Sequence, residues 1–312
     1  MSDYEYAVEL KNLTKRYGDF TAVKDVSLQV PRGTIYGFLG PNGAGKTTTL
    51  RMILDIVKPT SGSLSVLGAP SAMDVRERIG YLPEEKGLYK KMKTWAVIAY
   101  FARLKGVGRK DAKQRAYELL ERYGLKDFSD KKVETLSKGM GQKVQVLASI
   151  AHQPEFVILD EPFSGLDPSN QQVMEDVISD LSKAGSTIVF STHVMSHAER
   201  ICDRMLLIAK AEKIFDGTIP EAKALIPKMV NLSGVDDPSK LRSLPGVTSA
   251  ESADGLPGSF EVCMDDDADP QQLLRDCFRD DIELTSFNYH EPTLHDVFLH
   301  LVGEDAKVAS FR

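Results

Sequence analysis

Apolar and polar positions alternate along some stretches of the chain and recur at helical spacing along others. Val26-Ser-Leu-Gln-Val30 alternates as a half-buried strand does, within a segment Phe20 to Val30 that reads as strand. Ala7 to Leu13 reads as its partner across a turn at Tyr17-Gly18-Asp19. Thr34 to Leu39 and Thr187-Ile-Val-Phe190 read as buried strands, and Phe156-Val-Ile-Leu159 suits a central parallel strand covered on both faces. Ser63 to Leu67 and Arg76 to Tyr81 predict further short strands, and Arg204 to Ile208 with Lys213 to Phe215 predicts a hairpin. Helical spacing marks Thr47 to Val57, with a stripe of Leu50, Ile53, Leu54 and Val57. It also marks Trp95 to Leu104, Lys110 to Tyr123, Gln171 to Lys183 and Ser196 to Cys202. Strands alternating with helices predict an α/β domain around a largely parallel sheet.

The pattern changes twice. From about 84 to 151 it is helical, which predicts a helical insertion. Near Pro220 and Pro227 the first domain ends, giving a domain over 1–218, a linker over 219–227, a small α+β accessory domain over 228–304 and a tail over 305–312. In the small domain Met229 to Leu232, Ser259 to Met264 and Ile282 to Tyr289 read as strands, and Pro270 to Phe278 and Thr293 to Val302 as helices. The acidic turn Asp265 to Asp269 lacks the glycine-centred spacing of a calcium loop and reads as a solvated helix cap.

Composition narrows the class. No run approaches 18 apolar residues, so no membrane-spanning helix is expected among the 312 residues. The polar start Met1-Ser-Asp-Tyr-Glu-Tyr6 predicts no signal peptide. Cys202, Cys263 and Cys277 are scattered and odd in number, which predicts reduced thiols in a cytosolic protein rather than a disulfide frame or zinc site. The net charge of −6 is uneven: from 222 onward 17 acidic residues face 8 basic ones, a net of −9, and the remainder carries +3. That acidic part argues against nucleic acid as its partner.

The candidate chemistry starts at Gly40-Pro-Asn-Gly-Ala-Gly-Lys-Thr-Thr48, which fits G-x-x-x-x-G-K-[ST] between a predicted strand and a predicted helix. Such a loop cradles phosphate with backbone N–H groups at a helix N-terminus. The candidate binding residues are Gly40, Pro41, Asn42, Gly43, Ala44, Gly45, Lys46, Thr47 and Thr48. Lys46 is placed to reach the β and γ phosphates, and the Thr47 hydroxyl to hold Mg²⁺. Phe156 to Leu159 ends in Asp160-Glu161: the first acid is a candidate Mg²⁺ ligand and the second can orient or deprotonate a water.

With these parts in order, the chain resembles the ATP-binding subunits of ABC transporters over about residues 5 to 218. Gly40 to Thr47 resembles their Walker A motif and Phe156 to Asp160 their Walker B motif, with Glu161 at the catalytic carboxylate. Leu136-Ser-Lys-Gly-Met140 stands where the family usually has Leu-Ser-Gly-Gly-Gln, so Ser137 and Gly139 are the residues expected to touch the γ-phosphate. Ser164-Gly-Leu-Asp167 resembles the D-loop, His193 the switch histidine, and Tyr17 the aromatic that stacks on adenine. Glu84 replaces the usual Q-loop glutamine and is a candidate for metal-bound water or the metal itself. Lys138 and Met140 depart from the signature.

The resemblance implies a P-loop NTPase fold of ABC type, with a parallel-sheet core, an antiparallel β subdomain and the helical insertion. It implies ATP and Mg²⁺ as cofactors, Glu161 and His193 as catalytic residues, and Thr47, Asp160 and Glu84 at the metal. Tyr81 to Tyr89, the Lys-Gly-Met signature and Glu291 to Phe298 resemble bacterial ABC-2-type exporter ATPases, a group that includes sodium-extrusion and antibiotic-resistance ATPases. That implies an ATPase on the cytoplasmic face of the inner membrane, peripheral, working with a separate ABC-2-type permease. Ser137 is a candidate helix N-cap, too far along the fold to serve its own phosphates, so a second copy is expected to supply it in an ATP-sandwich dimer. Leu88, Tyr89, Met92 and Trp95 form an apolar cluster, either a groove for a partner's helix or the insertion's own core. The alternatives are a soluble ABC ATPase acting on ribosomes or DNA, and a non-hydrolytic scaffold suggested by Lys138 and Met140. One phosphate loop without a long coiled coil argues against the ribosome or DNA reading.

Overall fold

The structure, a computed structural model, describes residues 4–85, 87–253, 258–265 and 267–303. It divides between Ile219 and Pro220 into two compact units.

The first unit opens with β1 (Tyr6–Tyr17) and β2 (Phe20–Pro31), a long antiparallel hairpin. β3 (Ile35–Leu39), buried at every position, feeds α1 (Lys46–Ile53). The helix stops earlier than its apolar stripe predicts. Asp55 takes a left-handed φ of 60°, so the backbone turns away while Leu54 and Val57 still pack on the core. β4 (Ser61–Val66) pairs with the other edge of β1, completing a three-stranded antiparallel sheet. A 3-10 turn over Ala72–Arg78 leads to β5 (Ile79–Leu82).

The helical segment contains α2 (Thr94–Leu104), α3 (Arg109–Arg122) and α4 (Lys138–Ile150). Buried Ala102, Ala112 and Ala116 let α2 and α3 approach closely. Then come β6 (Phe156–Leu159), α5 (Pro168–Lys183), β7 (Thr187–Thr192), α6 (Met195–Ile201), β8 (Arg204–Ala209) and β9 (Glu212–Gly217). The central sheet runs β5-β6-β7-β3-β8-β9, parallel except for β9. The continuous apolar runs are its inner strands, covered on both faces as parallel sheets require. Phe38, Phe156 and Phe190 are wholly buried there. Truncating any one to alanine is expected to cost about 3–5 kcal/mol. The register pairs Leu39 with Thr192 and Leu159 with Phe190, so β3 and β7 end level with one another and the neighbouring β6 ends two residues earlier.

The second unit starts inside α7 (Ile219–Lys223), a short helix at the beginning of the stretch expected as linker. It continues with β10 (Lys228–Ser233), α8 (Pro238–Arg242), β11 (Val247–Ser252), β12 (Ser259–Met264), α9 (Pro270–Arg279), β13 (Ser286–His290) and α10 (Leu294–Val302). Its antiparallel sheet has the order β11-β12-β10-β13. Val230, Leu232, Val262, Leu241 and Leu273 belong to its separate core. The strand expected from Ile282 begins only at Ser286. Asp281 turns left-handed at φ 50°, and Ile282 instead fills the core. Asp269 caps α9, accepting from Gln271 N at 3.0 Å, whereas Asp266 and the tail over 305–312 lie outside the described residues.

Candidate functional site

The adjacent carboxyl ends of these strands bring the candidate chemistry together. Gly40 follows β3, Asp160 follows β6 and His193 follows β7. In open α/β sheets this carboxyl edge is where ligands bind. A cavity of about 300 Å³ opens there, lined by Phe20, Ala22, Asn42, Gly43, Gly45, Lys46, Thr47, Thr48, Glu84 and Glu161.

The loop is tightly seated. A Cβ on Gly40 would stand 2.1 Å from the Ile208 carbonyl oxygen, and one on Gly45 2.4 Å from that of Ala22. Gly45 also takes φ 107° as the N-cap of α1 and offers no side chain to the helix's first N–H groups. Those groups and the helix dipole remain for an anion.

Lys46 is 5 % exposed. Its Nζ donates to the carbonyls of Gly40 (2.7 Å) and Pro41 (3.1 Å) and lies 3.7 Å from Glu161 Oε1. Burial pulls its pKa below the ordinary lysine value, opposed by Glu161 and Asp160. Asp160, 1 % exposed, accepts on Oδ1 from Thr47 Oγ1 (3.1 Å) and Ser191 Oγ (2.6 Å). Its Oδ2 and Glu161 Oε1 are buried and accept no hydrogen bond from the protein. Glu161 Oε1 has the Lys46 ammonium as an ion-pair partner, whereas a buried oxygen like Asp160 Oδ2 calls for a partner the folded chain does not supply. His193 Nδ1 lies 3.0 Å from Glu161 Oε2.

The two acids take different directions because the backbone turns at the end of the strand. β6 ends at Leu159, and Glu161 turns left-handed at φ 49°. Its amide donates to Ser191 Oγ at 2.9 Å, so one serine hydroxyl fixes both acids. Sequence reasoning missed Ser191; a polar residue one step after the apolar run Thr187 to Phe190 was the available signal. It also missed Phe20, which lines the cavity, whereas half-exposed Tyr17 is absent from the lining and packs under Lys15 Nζ at 4.9 Å.

Ser137, Gly139 and Asp167 do not line the cavity. Ser137 is the exposed N-cap of α4, its hydroxyl accepting from Met140 N at 3.3 Å. Asp167 caps α5, accepting from Asn170 N (2.9 Å) and Nδ2 (2.6 Å), and these bonds hold its pKa below the usual carboxylate range. Half-exposed Tyr89 packs edge-on to Tyr100 at 5.4 Å, and Trp95 stacks on Tyr117 at 5.7 Å.

Residues 23–164 match the ABC transporter family, and 217–302 match the C-terminal domain of DrrA1-3-like ATP-binding proteins. The ABC transporter ATP-binding protein YhaQ of Bacillus subtilis is 39% identical over 296 residues, covering 94% of this chain and 98% of YhaQ. The chain belongs to the ABC transporter ATP-binding proteins. It is the ATP-binding, ATP-hydrolysing subunit of a transporter, built on a P-loop α/β core. The daunorubicin/doxorubicin resistance ATP-binding protein DrrA of Streptomyces peucetius is 32% identical over 308 residues, covering 96% of this chain and 93% of its own. The solved structure of cbiO1 from Clostridium perfringens, part of the ABC transporter complex cbiONQ, is similar with a TM-score of 0.64 at 26% identity. It covers 71% of this chain and 92% of that chain. Among the described residues no helix is long and apolar enough to cross a membrane.

Proposed function

We propose that the chain powers an exporter as a two-fold ATP-sandwich dimer, peripheral on the cytoplasmic face of the membrane and seated on a separate ABC-2-type permease. Support for export comes from likeness to drug-resistance ATP-binding proteins along nearly the whole chain, accessory domain included. The observation that carries the dimer is the exposed start of α4, where Ser137 as N-cap faces solvent while Lys46 and Glu161 line the cavity. Two copies related by a two-fold axis would each complete the other's site.

Within each site Lys46 counters the charge of the β and γ phosphates while the first turn of α1 receives their oxygens. Glu161 takes the proton of the attacking water, and His193 donates Nδ1–H to Glu161 Oε2 to hold that carboxylate in place. When the imidazole is protonated, Nε2 donates as well and reaches the γ-phosphate. The buried, unpartnered Asp160 Oδ2, the Thr47 hydroxyl and Glu84 are hard oxygen donors that fit Mg²⁺. Among the described residues no three His, Cys, Asp or Glu form a metal site alone, which suits an ion that relies on phosphate oxygens and water for its remaining ligands. Bound Mg²⁺ would supply charge neutralisation to the phosphates held there.

The test is Glu161→Gln. The expected variant binds ATP like the parent, turns over about 10²–10⁴ times more slowly, and runs as a dimer in ATP by light scattering. Turnover at the parent rate would remove Glu161 from the chemistry; a monomer in ATP would remove the sandwich. Co-purification with a detergent-extracted membrane protein, compared with ribosome and DNA arms, separates the transporter reading from a soluble one.

A further inference from the structure

The signature helix α4 touches the loop that follows the site's two acids at several points within one chain. Lys138, Gln142 and Gln145 fall on one face of α4, spaced i, i+4 and i+7. A Cβ on Gly165 would stand 3.0 Å from Lys138 Nζ, so that ammonium lies over the loop backbone. One on Gly139 would stand 2.5 Å from Asn170 Nδ2, so the helix start is closely packed against the start of α5. One turn on, Gln142 is 3 % exposed and donates Nε2–H to the Pro162 carbonyl at 2.5 Å. On the next turn Gln145 donates to the Glu85 carbonyl at the longer distance of 3.4 Å. The two accepting carbonyls directly follow Glu161 and Glu84 in sequence.

Glu161 needs such support. A non-glycine residue at φ 49° is strained and persists where its neighbours over-determine the conformation. Ser191 holds its amide from one side. Gln142 holds the carbonyl of the next residue from the other, and without it a buried Pro162 oxygen loses that donor.

We propose that Gln142 is a positioning residue that makes the shape of the Glu161 turn depend on where the signature helix stands, while Gln145 ties the same helix more weakly to the loop that carries Glu84. The inference rests on the reading of Glu161 as the catalytic carboxylate. In this way the helical insertion acts on hydrolysis from inside its own chain.

The test is a double-mutant cycle on the full chain with Gln142→Met and Glu161→Gln, using Mg-ATP turnover and nucleotide affinity. Gln142→Met keeps the side-chain volume and removes the donor. It is expected to lower kcat about tenfold with KM for ATP within about twofold, and to have no further effect on the residual rate of Glu161→Gln. Gln145→Met is expected to lower kcat about two- to threefold, reflecting the longer bond. Gln114→Met, at an exposed site on α3, is the control for the substitution itself. Parent-like kcat in Gln142→Met would overturn the inference alone. So would an equal fractional loss in the Glu161→Gln background, or a larger loss at 145 than at 142. Should Gln142→Met not fold, Gln142→Asn, which shortens the amide away from the Pro162 carbonyl, takes its place in the same cycle, and an equal fractional loss in the Glu161→Gln background there also overturns the coupling. A Glu161→Gln protein at the parent rate would overturn the reading of Glu161, and the inference with it.

Discussion

The phosphate-loop wall and the signature wall are built on opposite terms. At the first, charges are buried and already engaged: Lys46, Asp160 and Glu161 lie within one web of hydrogen bonds and ion contacts that also includes Thr47, Ser191 and His193. At the second, Ser137 and Lys138 are exposed, and Gly139 presents no side chain. A charged group withdrawn from water needs its partners present at folding, whereas an exposed helix N-terminus can wait for an anion that arrives later. The first wall is therefore expected to fail when its own charges change, and the second when a neighbour is kept away.

Lys46→Ala tests the first half of that statement and is expected to have the largest effect of this set. Removing the buried counter-charge should weaken ATP binding about a hundredfold or more by calorimetry. Parent-like affinity would mean that the backbone cradle alone holds the phosphates. Ser137→Arg tests the second half: a single chain should bind ATP as the parent does while turnover falls about tenfold or more. Mixing the two inactive variants is the sharper experiment. A mixed pair contains one site with both walls intact, so activity should return in the mixture; two inert proteins that stay inert together would separate signature from phosphate loop.

A smaller effect concerns stability at acid pH. Burial pushes the His197 imidazole down to about 4, with Arg200 and His193 adding to the shift, and burial does the same to His152. Both are neutral in the folded chain, where His197 packs on Phe163 at 4.4 Å. The unfolded chain takes up these protons near pH 6.5, so the stabilisation is present above that value and is lost as pH falls toward 4. Each is expected to contribute a slope of about 1 kcal/mol per pH unit in urea melts. His197→Phe should flatten the acid limb by one such contribution; an unchanged limb would show that the histidine is not held neutral. The smallest effect is expected at the cavity rim, where Glu84→Gln should change turnover by less than about threefold. Complete loss would mean that the site needs the negative charge of that carboxylate and not only its oxygen donors.

The sequence was most informative where periodicity and punctuation agree. Phe156 to Leu159 and Thr187 to Phe190 are strands because nothing but a sheet interior suits such runs, and the glycine loop lies between its strand and its helix. α8 and β11 were illegible: each is five or six residues long and half exposed, too short to carry a readable period. The early stops at Asp55 and Asp281 were hidden too, because a left-handed aspartate leaves the apolar spacing intact. In the site, residue types pointed to Lys46, Asp160 and His193. The amide of Gln142 gave no signal and the hydroxyl of Ser191 only its place one step after an apolar run, since their work is to hold other groups still.

Gly40 imposes a limit on how this chain can diversify. The obstacle at 2.1 Å is the carbonyl of Ile208 in a central strand, not a movable side chain. Any replacement at position 40 has to shift β8 itself. In a random library, the codon for that residue would be expected to keep its identity while the exposed signature position Lys138 drifts.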